Sequence, residues 1–274
     1  MRYKLAVFDM DGTILNTLED LADSTNYALK ANGLPERTID EVRRFVGNGI
    51  RLLIERAVPA DSEPELVDEV FETFKKYYKT HCAVKTRPYD GIKEVLVSLR
   101  KAGCLTAVVS NKADFAVQDL CKDYFDGLFD FAVGEREGIK KKPAPDSVYE
   151  VLTKLKTKKE DAVYIGDSDV DFATSVNAGM DVIMVGWGFR DEEFLREKGA
   201  KRIIKALISF SNCLTSSTVS FEVFEMFSYV NEAIVFLRSS ISIAISIFLF
   251  LTASFLISSI ALHIIATPSS SSLK

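Results

Sequence analysis

Residues 3–13 read YKLAVFDMDGT: a short apolar run, residues 3–8, that stops abruptly at Asp9. An apolar run of this length with no polar face is the pattern of a strand buried on both sides, as in a parallel sheet. Working outward, three more such runs follow, at 105–109 (LTAVV), 162–165 (AVYI) and 182–185 (VIMV), with a weaker one at 129–133. Helical spacing separates them. Ile92, Val95, Leu96 and Leu99 fall on one face, and Gly103 is placed to end that helix. Alternation of this kind predicts an α/β fold, a doubly wound parallel sheet built from βαβ units.

Residues 18–85 break the alternation and carry only helical signals. Leu18, Leu21, Ala22, Ala28 and Leu29 precede a stop at Gly33. Two capping boxes follow, Thr38-x-x-Glu41 and Ser62-x-x-Glu65, each leading an apolar series. A crossover between parallel strands usually needs only about a dozen residues. The block is therefore an inserted all-helical subdomain, with residues 1–17 and 86–205 forming the sheet core.

The strong runs deliver polar residues at their ends, and in open α/β sheets ligands bind outside the carboxyl ends of the strands. The first gives Asp9-Met10-Asp11-Gly12-Thr13, two carboxylates that repel unless a cation or proton lies between them. Ser110-Asn111-Lys112 follows the second, suited either to a plain helix N-cap or to a phosphate at a helix start. Lys142-Pro143-Ala144-Pro145 reads either as a solvated basic loop or as a lysine whose approach to an anion is fixed by prolines. Another run ends in Gly166-Asp167-Ser168-Asp169-Val170-Asp171, acidic groups of the kind a hard cation takes as oxygen ligands.

These four motifs, in this order, resemble those of the haloacid dehalogenase-type hydrolase superfamily over residues 1–204. Within it the chain is similar to the phosphoglycolate phosphatase-like branch, through DGTILNTLEDL at residues 11–21 and VGNGIRLLIERA at 46–57. Asn16 departs from the Asp often found in that branch. The resemblance implies a Rossmann-like core with a helical cap at 18–85, and a magnesium-dependent phosphatase acting on a small phosphorylated metabolite, 2-phosphoglycolate foremost. It implies Asp9 as nucleophile and Asp11 as general acid and base. Ser110 and Asn111 would bind the phosphoryl oxygens, and Lys142 would pair with Asp9 and the phosphate. Gly12 would let the backbone approach the phosphate, with Thr13 beside it. Mg2+ would be held by Asp9, the Asp11 carbonyl and Asp167, supported by Asp171 rather than Asp169. The cap loop Gly47-Asn48-Gly49, otherwise a plain turn, would contact substrate, with Arg51 as a carboxylate partner. A sugar phosphomutase, a pyrophosphatase, a non-catalytic phosphate-binding module and a membrane-tethered interaction protein are the competing readings.

Composition narrows the field. The chain has 274 residues, only two of them histidine, His81 and His263, neither in a motif, so Ser-His and Cys-His catalysis is excluded. Four cysteines without CxxC spacing and no opening signal peptide point to reduced thiols and a cytoplasmic protein. A net charge of -5 offers no footprint for nucleic acid. Beyond Lys205 the composition changes: all 14 glycines lie at or before Gly199, and residues 239–262 carry no charge. As a helix those 24 residues span about 36 Å, enough for a hydrocarbon core of about 30 Å. Residues 206–274 are thus either a membrane anchor or a tail foreign to the domain.

Overall fold

The structure, a computed structural model, describes residues 2–205. The chain opens with β1 (Leu5–Phe8) and β2 (Leu15–Asn16) and then makes four helices: α1 (Leu18–Ala31), α2 (Ile39–Phe45), α3 (Ile50–Ala57) and α4 (Pro64–His81). It returns through β3 (Arg87–Pro88), antiparallel to β2. Regular alternation follows: α5 (Ile92–Lys101), β4 (Leu105–Ala113), α6 (Asp114–Phe125), β5 (Phe131–Glu135) and α7 (Asp146–Lys154). It ends with β6 (Ala162–Gly166), α8 (Asp169–Ala178), β7 (Asp181–Val185), α9 (Glu192–Glu197) and β8 (Ile203–Ile204).

The main sheet has the order β5-β4-β1-β6-β7-β8, with every pairing parallel. β1 is central because all four of its side chains are apolar and wholly buried. The chain order reverses across β1, which opens a crevice above the carboxyl ends of β1, β4 and β6.

One strand end differs from expectation. β4 does not give way to a helix after Val109; it runs on to Ala113, with a register shift against β5, and α6 begins at Asp114. Gly134 on β5 permits this, since a Cβ there would collide with the Lys112 carbonyl. Asp114 locks the junction by accepting the Gly134 N–H at 2.7 Å. Ser110, Asn111 and Lys112 are therefore extended, and none caps a helix.

The helices α1–α4 enclose their own apolar cluster, centred on Leu29, Val42, Ile54, Val70 and Phe74, which also takes in Phe189 from beyond β7. The Thr38–Glu41 capping box is present. The Ser62–Glu65 box is not: Glu63 is the N-cap and Pro64 the first helical residue. Proline suits that position because its missing N–H would have had no helical partner. Buried Asp20 ties the return strand to α1 by accepting the N–H groups of Lys85 and Thr86 at 2.8–3.0 Å. The segment 239–262 lies outside the described residues, among which no helix is long and apolar enough to cross a membrane.

Candidate active site

Asp9 leaves β1 with its N–H bound to the Ile165 carbonyl at 2.8 Å, which fixes its start beside β6. The next residues fold into a tight turn in which the Ile14 and Leu15 N–H groups both reach the Met10 carbonyl. Gly12 takes φ +83° there, and a Cβ would collide with the carboxylate of Asp167. The turn thus presses against the end of β6. Thr13 donates its hydroxyl to Asp167 Oδ1 at 2.8 Å. Gly12 and Thr13 thus both pack against Asp167, Thr13 as a support beneath the site.

Asp9, Asp167 and Asp171 are all buried and bring carboxylate oxygens within 4.8 Å of one another. Lys142 Nζ sits against this group, 2.8 Å from both Asp9 Oδ1 and Asp171 Oδ1. Asp171 is fully committed: its Oδ1 also meets the Tyr164 hydroxyl at 3.3 Å, and its Oδ2 accepts from the Ser168 hydroxyl and N–H. It therefore holds the lysine and starts α8.

Three buried carboxylates face one ammonium, and the imbalance shows in their protonation. Burial, then the charge of Asp171, push the Asp9 carboxyl well above the usual range, with Lys142 opposing. Burial and Asp171 likewise push Asp167 up to about 7, against the N–H of Phe189 and the Thr13 hydroxyl. Lys142 stays charged, because Asp171 and Asp9 outweigh the desolvation that would strip its proton.

Lys142 gives Asp9 Oδ1 a charged contact at 2.8 Å, but one ammonium does not balance three buried carboxylates. A group of hard, anionic oxygens with excess negative charge is what a divalent cation relieves, and the donor set fits Mg2+. Asp9 and Asp167 are the side chains that would hold it, Asp167 being already oriented by the Thr13 hydroxyl on one oxygen and the Phe189 N–H on the other.

Ser110 lines the cavity, and its Oγ accepts the Lys112 N–H at 3.1 Å. Asn111 lines the same cavity. Its side-chain amide accepts the Lys142 N–H at 2.9 Å and donates to the Lys142 carbonyl at 3.1 Å, so it clamps the lysine loop. Across the cavity stand Gly47, Gly49, Leu53 and Tyr78 of the cap. Asn48 and Arg51 are not in this wall. The Arg51 guanidinium lies on the outer face of the cap, paired with Glu55 and Asp68 of its own and the neighbouring helix, so it is not the carboxylate partner.

Several residues were not singled out from sequence. Lys112 is buried at the cavity wall, with its ammonium 3.2 Å from Asp11 Oδ1 and 2.6 Å from the Tyr78 hydroxyl. Arg190 bonds the cap carbonyls of Val46 at 2.7 Å and Arg43 at 3.2 Å, and pairs with Asp169. Asp169 thereby belongs to a core-to-cap strap, away from the metal group. Gly188 gives Asp167 its space, since a Cβ there would strike that side chain. The available signal was Gly186-Trp187-Gly188 directly after β7, a glycine pair where the other strands end in polar groups.

Residues 6–185 match the model of a haloacid dehalogenase-like hydrolase family. The phosphoglycolate phosphatase of Aquifex aeolicus is 33% identical over 191 residues, covering 68% of this chain and 86% of that protein. The N-acetylmuramic acid 6-phosphate phosphatase of Pseudomonas aeruginosa is 32% identical over 190 residues, covering 69% and 84%. A solved structure from Lactobacillus delbrueckii subsp. bulgaricus, provisionally named phosphoglycolate phosphatase, superposes with a TM-score of 0.75 at 39% identity, covering 78% of this chain and 98% of that one. With its parallel sheet, helical cap and strand-end aspartates, this chain belongs to the haloacid dehalogenase-like hydrolases, in their phosphoglycolate phosphatase-like branch.

Proposed function

We propose that this phosphoric monoester hydrolase is a Mg2+-dependent phosphatase of a small phosphorylated carboxylic acid, with 2-phosphoglycolate the foremost candidate. The observation that carries the reading is the pairing of two aspartates with unlike surroundings on one turn. Asp9 is buried against Lys142, whereas Asp11 faces the cavity with its carboxylate held by Lys112. Bound Mg2+ would keep Asp9 ionised as the nucleophile, and Asp11, at the cavity, is placed to reach the leaving group.

In this reading an Asp9 oxygen attacks phosphorus and the bond from phosphorus to the ester oxygen breaks. Asp11 gives its proton to the departing alkoxide. Water then attacks the phosphorus, Asp11 takes a proton from it, and the bond to Asp9 breaks, which returns both carboxylates to their starting state. Lys142, held by Asp171 and by the Asn111 clamp, offsets the negative charge gathered at phosphorus. Ser110 is placed to donate its hydroxyl to a phosphoryl oxygen. Asp9, the Asp11 carbonyl and Asp167 would hold Mg2+, which supplies further charge neutralisation at the phosphoryl group.

The reacting groups and the cap share one cavity, lined on the core side by Asp9, Asp11, Ser110 and Lys142 and on the cap side by Gly47, Gly49 and Tyr78. The test is phosphate release over a panel of small phosphomonoesters, with Mg2+ and with chelator. Turnover of 2-phosphoglycolate that needs Mg2+ and vanishes in Asp9→Asn is the expected outcome. A variant that retains more than about a tenth of the activity, where nucleophile loss costs orders of magnitude, would refute the assignment.

A further inference from the structure

Lys112 and Tyr78 have no part in the steps above, yet both are buried at the cavity wall. Lys112 projects from the bulged end of β4 in the core, whereas Tyr78 lies on α4 in the cap. The 2.6 Å hydrogen bond from Lys112 Nζ to the Tyr78 hydroxyl therefore crosses from one to the other. The same ammonium lies 3.2 Å from Asp11 Oδ1. Tyr78 is itself steadied by stacking on Phe74, with centroids 5.0 Å apart, and Phe74 sits wholly inside the cap cluster.

The lysine side chain is only 4% exposed, so its charge depends on these two partners. Lysine is long and flexible, and an ammonium that loses one of two acceptors is no longer held in a fixed direction and turns toward water as the cavity opens. When the cap lifts, the Tyr78 hydroxyl leaves with α4. Lys112 then no longer spans a fixed acceptor pair, and Asp11 loses the group that sets its orientation. When the cap returns, both ends are restored at once. Arg190 separately ties the cap loop to the core, but it touches none of the reacting groups.

We infer that Tyr78 and Lys112 are positioning residues, a core-to-cap bridge through which the closed cap holds Asp11 in line with the leaving-group oxygen. The inference rests on the reading of Asp11 as general acid. It makes the acid–base step depend on cap closure without any cap residue touching the transferred phosphoryl group.

The test is a comparison of kcat and KM for wild type, Tyr78→Phe and Lys112→Met. Two substrates are used: the best alkyl phosphate from the panel, and p-nitrophenyl phosphate, whose leaving group needs little protonation. Tyr78→Phe keeps the stacked ring and removes only the hydroxyl, so it should fold, with a single cooperative thermal transition as the check, lowered by the loss of one buried hydrogen bond. Its kcat on the alkyl phosphate should fall about 10- to 100-fold, the scale of a misplaced catalytic group. KM should move by less than about threefold, and the kcat loss should be at least about tenfold smaller on the aryl phosphate. Lys112→Met should show the same split, more steeply.

Equal losses on both substrates would overturn the inference and leave the pair as cavity lining. A rise in KM for acidic substrates alone would overturn it too, by making Lys112 the reader of the substrate carboxylate. Wild-type turnover that neither variant disturbs would sink the bridge while the phosphatase reading stands. A wild type that releases phosphate from nothing in the panel would remove both.

Discussion

Replacing Lys142 by methionine removes one positive charge from a group of three buried carboxylates and leaves the side-chain volume nearly unchanged. The ammonium makes two contacts of 2.8 Å, with Asp9 and with Asp171, and its side chain is 4% exposed. At an effective dielectric of 20 each contact corresponds to about 6 kcal/mol of Coulomb attraction, most of it offset by desolvation. Removing one partner of a buried pair costs about 3–5 kcal/mol, because the remaining charge is left uncompensated. That cost must depend on pH. Asp9 and Asp167 already titrate above the range of unfolded carboxylates, through burial and the charge of Asp171. A carboxyl whose folded pKa is raised stabilises the fold below its unfolded pKa and loses that contribution as pH rises through the folded value. Without Lys142, Asp9 is pushed further in the same direction. The metal-free variant should therefore lose about 3–5 kcal/mol at pH 8 and distinctly less at pH 5, where the carboxyls can protonate. Added Mg2+ should restore part of the loss at pH 8. Urea melts of both proteins at the two pH values, with chelator or Mg2+, measure this directly. An equal loss at pH 5 and pH 8, or a loss under about 1 kcal/mol at pH 8, would show that the carboxylates do not depend on the lysine.

Two further outcomes follow from the same site. Because Asp167 is pushed up to about 7 by burial and Asp171, and Asp9 is raised as well, Mg2+ must displace protons from its ligands below that pH, so affinity should fall at least about tenfold per pH unit from pH 7 toward pH 5. Trp187, the single tryptophan, donates to the Thr13 carbonyl at 3.1 Å and offers a fluorescence readout; a flat affinity across that range would contradict the protonated state of Asp167. Gly188→Ala should weaken Mg2+ binding and destabilise the fold by about 1–3 kcal/mol, the usual cost of overpacking, because the added methyl collides with Asp167. An unaltered metal titration in that variant would mean that Asp167 can shift without consequence.

The sheet was legible because burial on both faces leaves no polar positions to blur a short strand. β1, β4, β6 and β7 each lie on an apolar run, with ends displaced by a residue or a few. The aspartates were legible for a related reason: a carboxylate directly after such a run has nowhere to sit but the crevice above the sheet. The failures share a different cause. Ser110-Asn111-Lys112 looked like a helix start, and nothing in those three residues reports that Gly134, on the neighbouring strand, lets β4 continue past them. The resemblance gives Asn111 to the phosphate, and no spacing in the sequence reports that its amide is also matched to the backbone of Lys142, 31 residues away. Arg51 was placed in the site by its nearness to the cap loop, but Glu55 one turn on and Asp68 on α4 offered it closer partners outside.

Glycine explains why the strand ends converge tightly enough to work, and why that convergence was half hidden. Gly12 announces itself, because it follows Asp11 in a recognisable turn and adopts φ +83°. Gly166 and Gly188 make no such turn. A Cβ on Gly166 would collide with Asp171, and one on Gly188 with Asp167. What these two positions supply is absent volume, and absent volume can be read only once the neighbour that fills it is known. The carboxylates of Asp167 and Asp171 occupy space left by glycines on β6 and beyond β7. The packing that buries them also raises the protonation of Asp167 and, through the charge of Asp171, that of Asp9. The electrostatic stress that calls for a cation therefore arises from three missing methyl groups, at residues 12, 166 and 188, as directly as from the charges themselves.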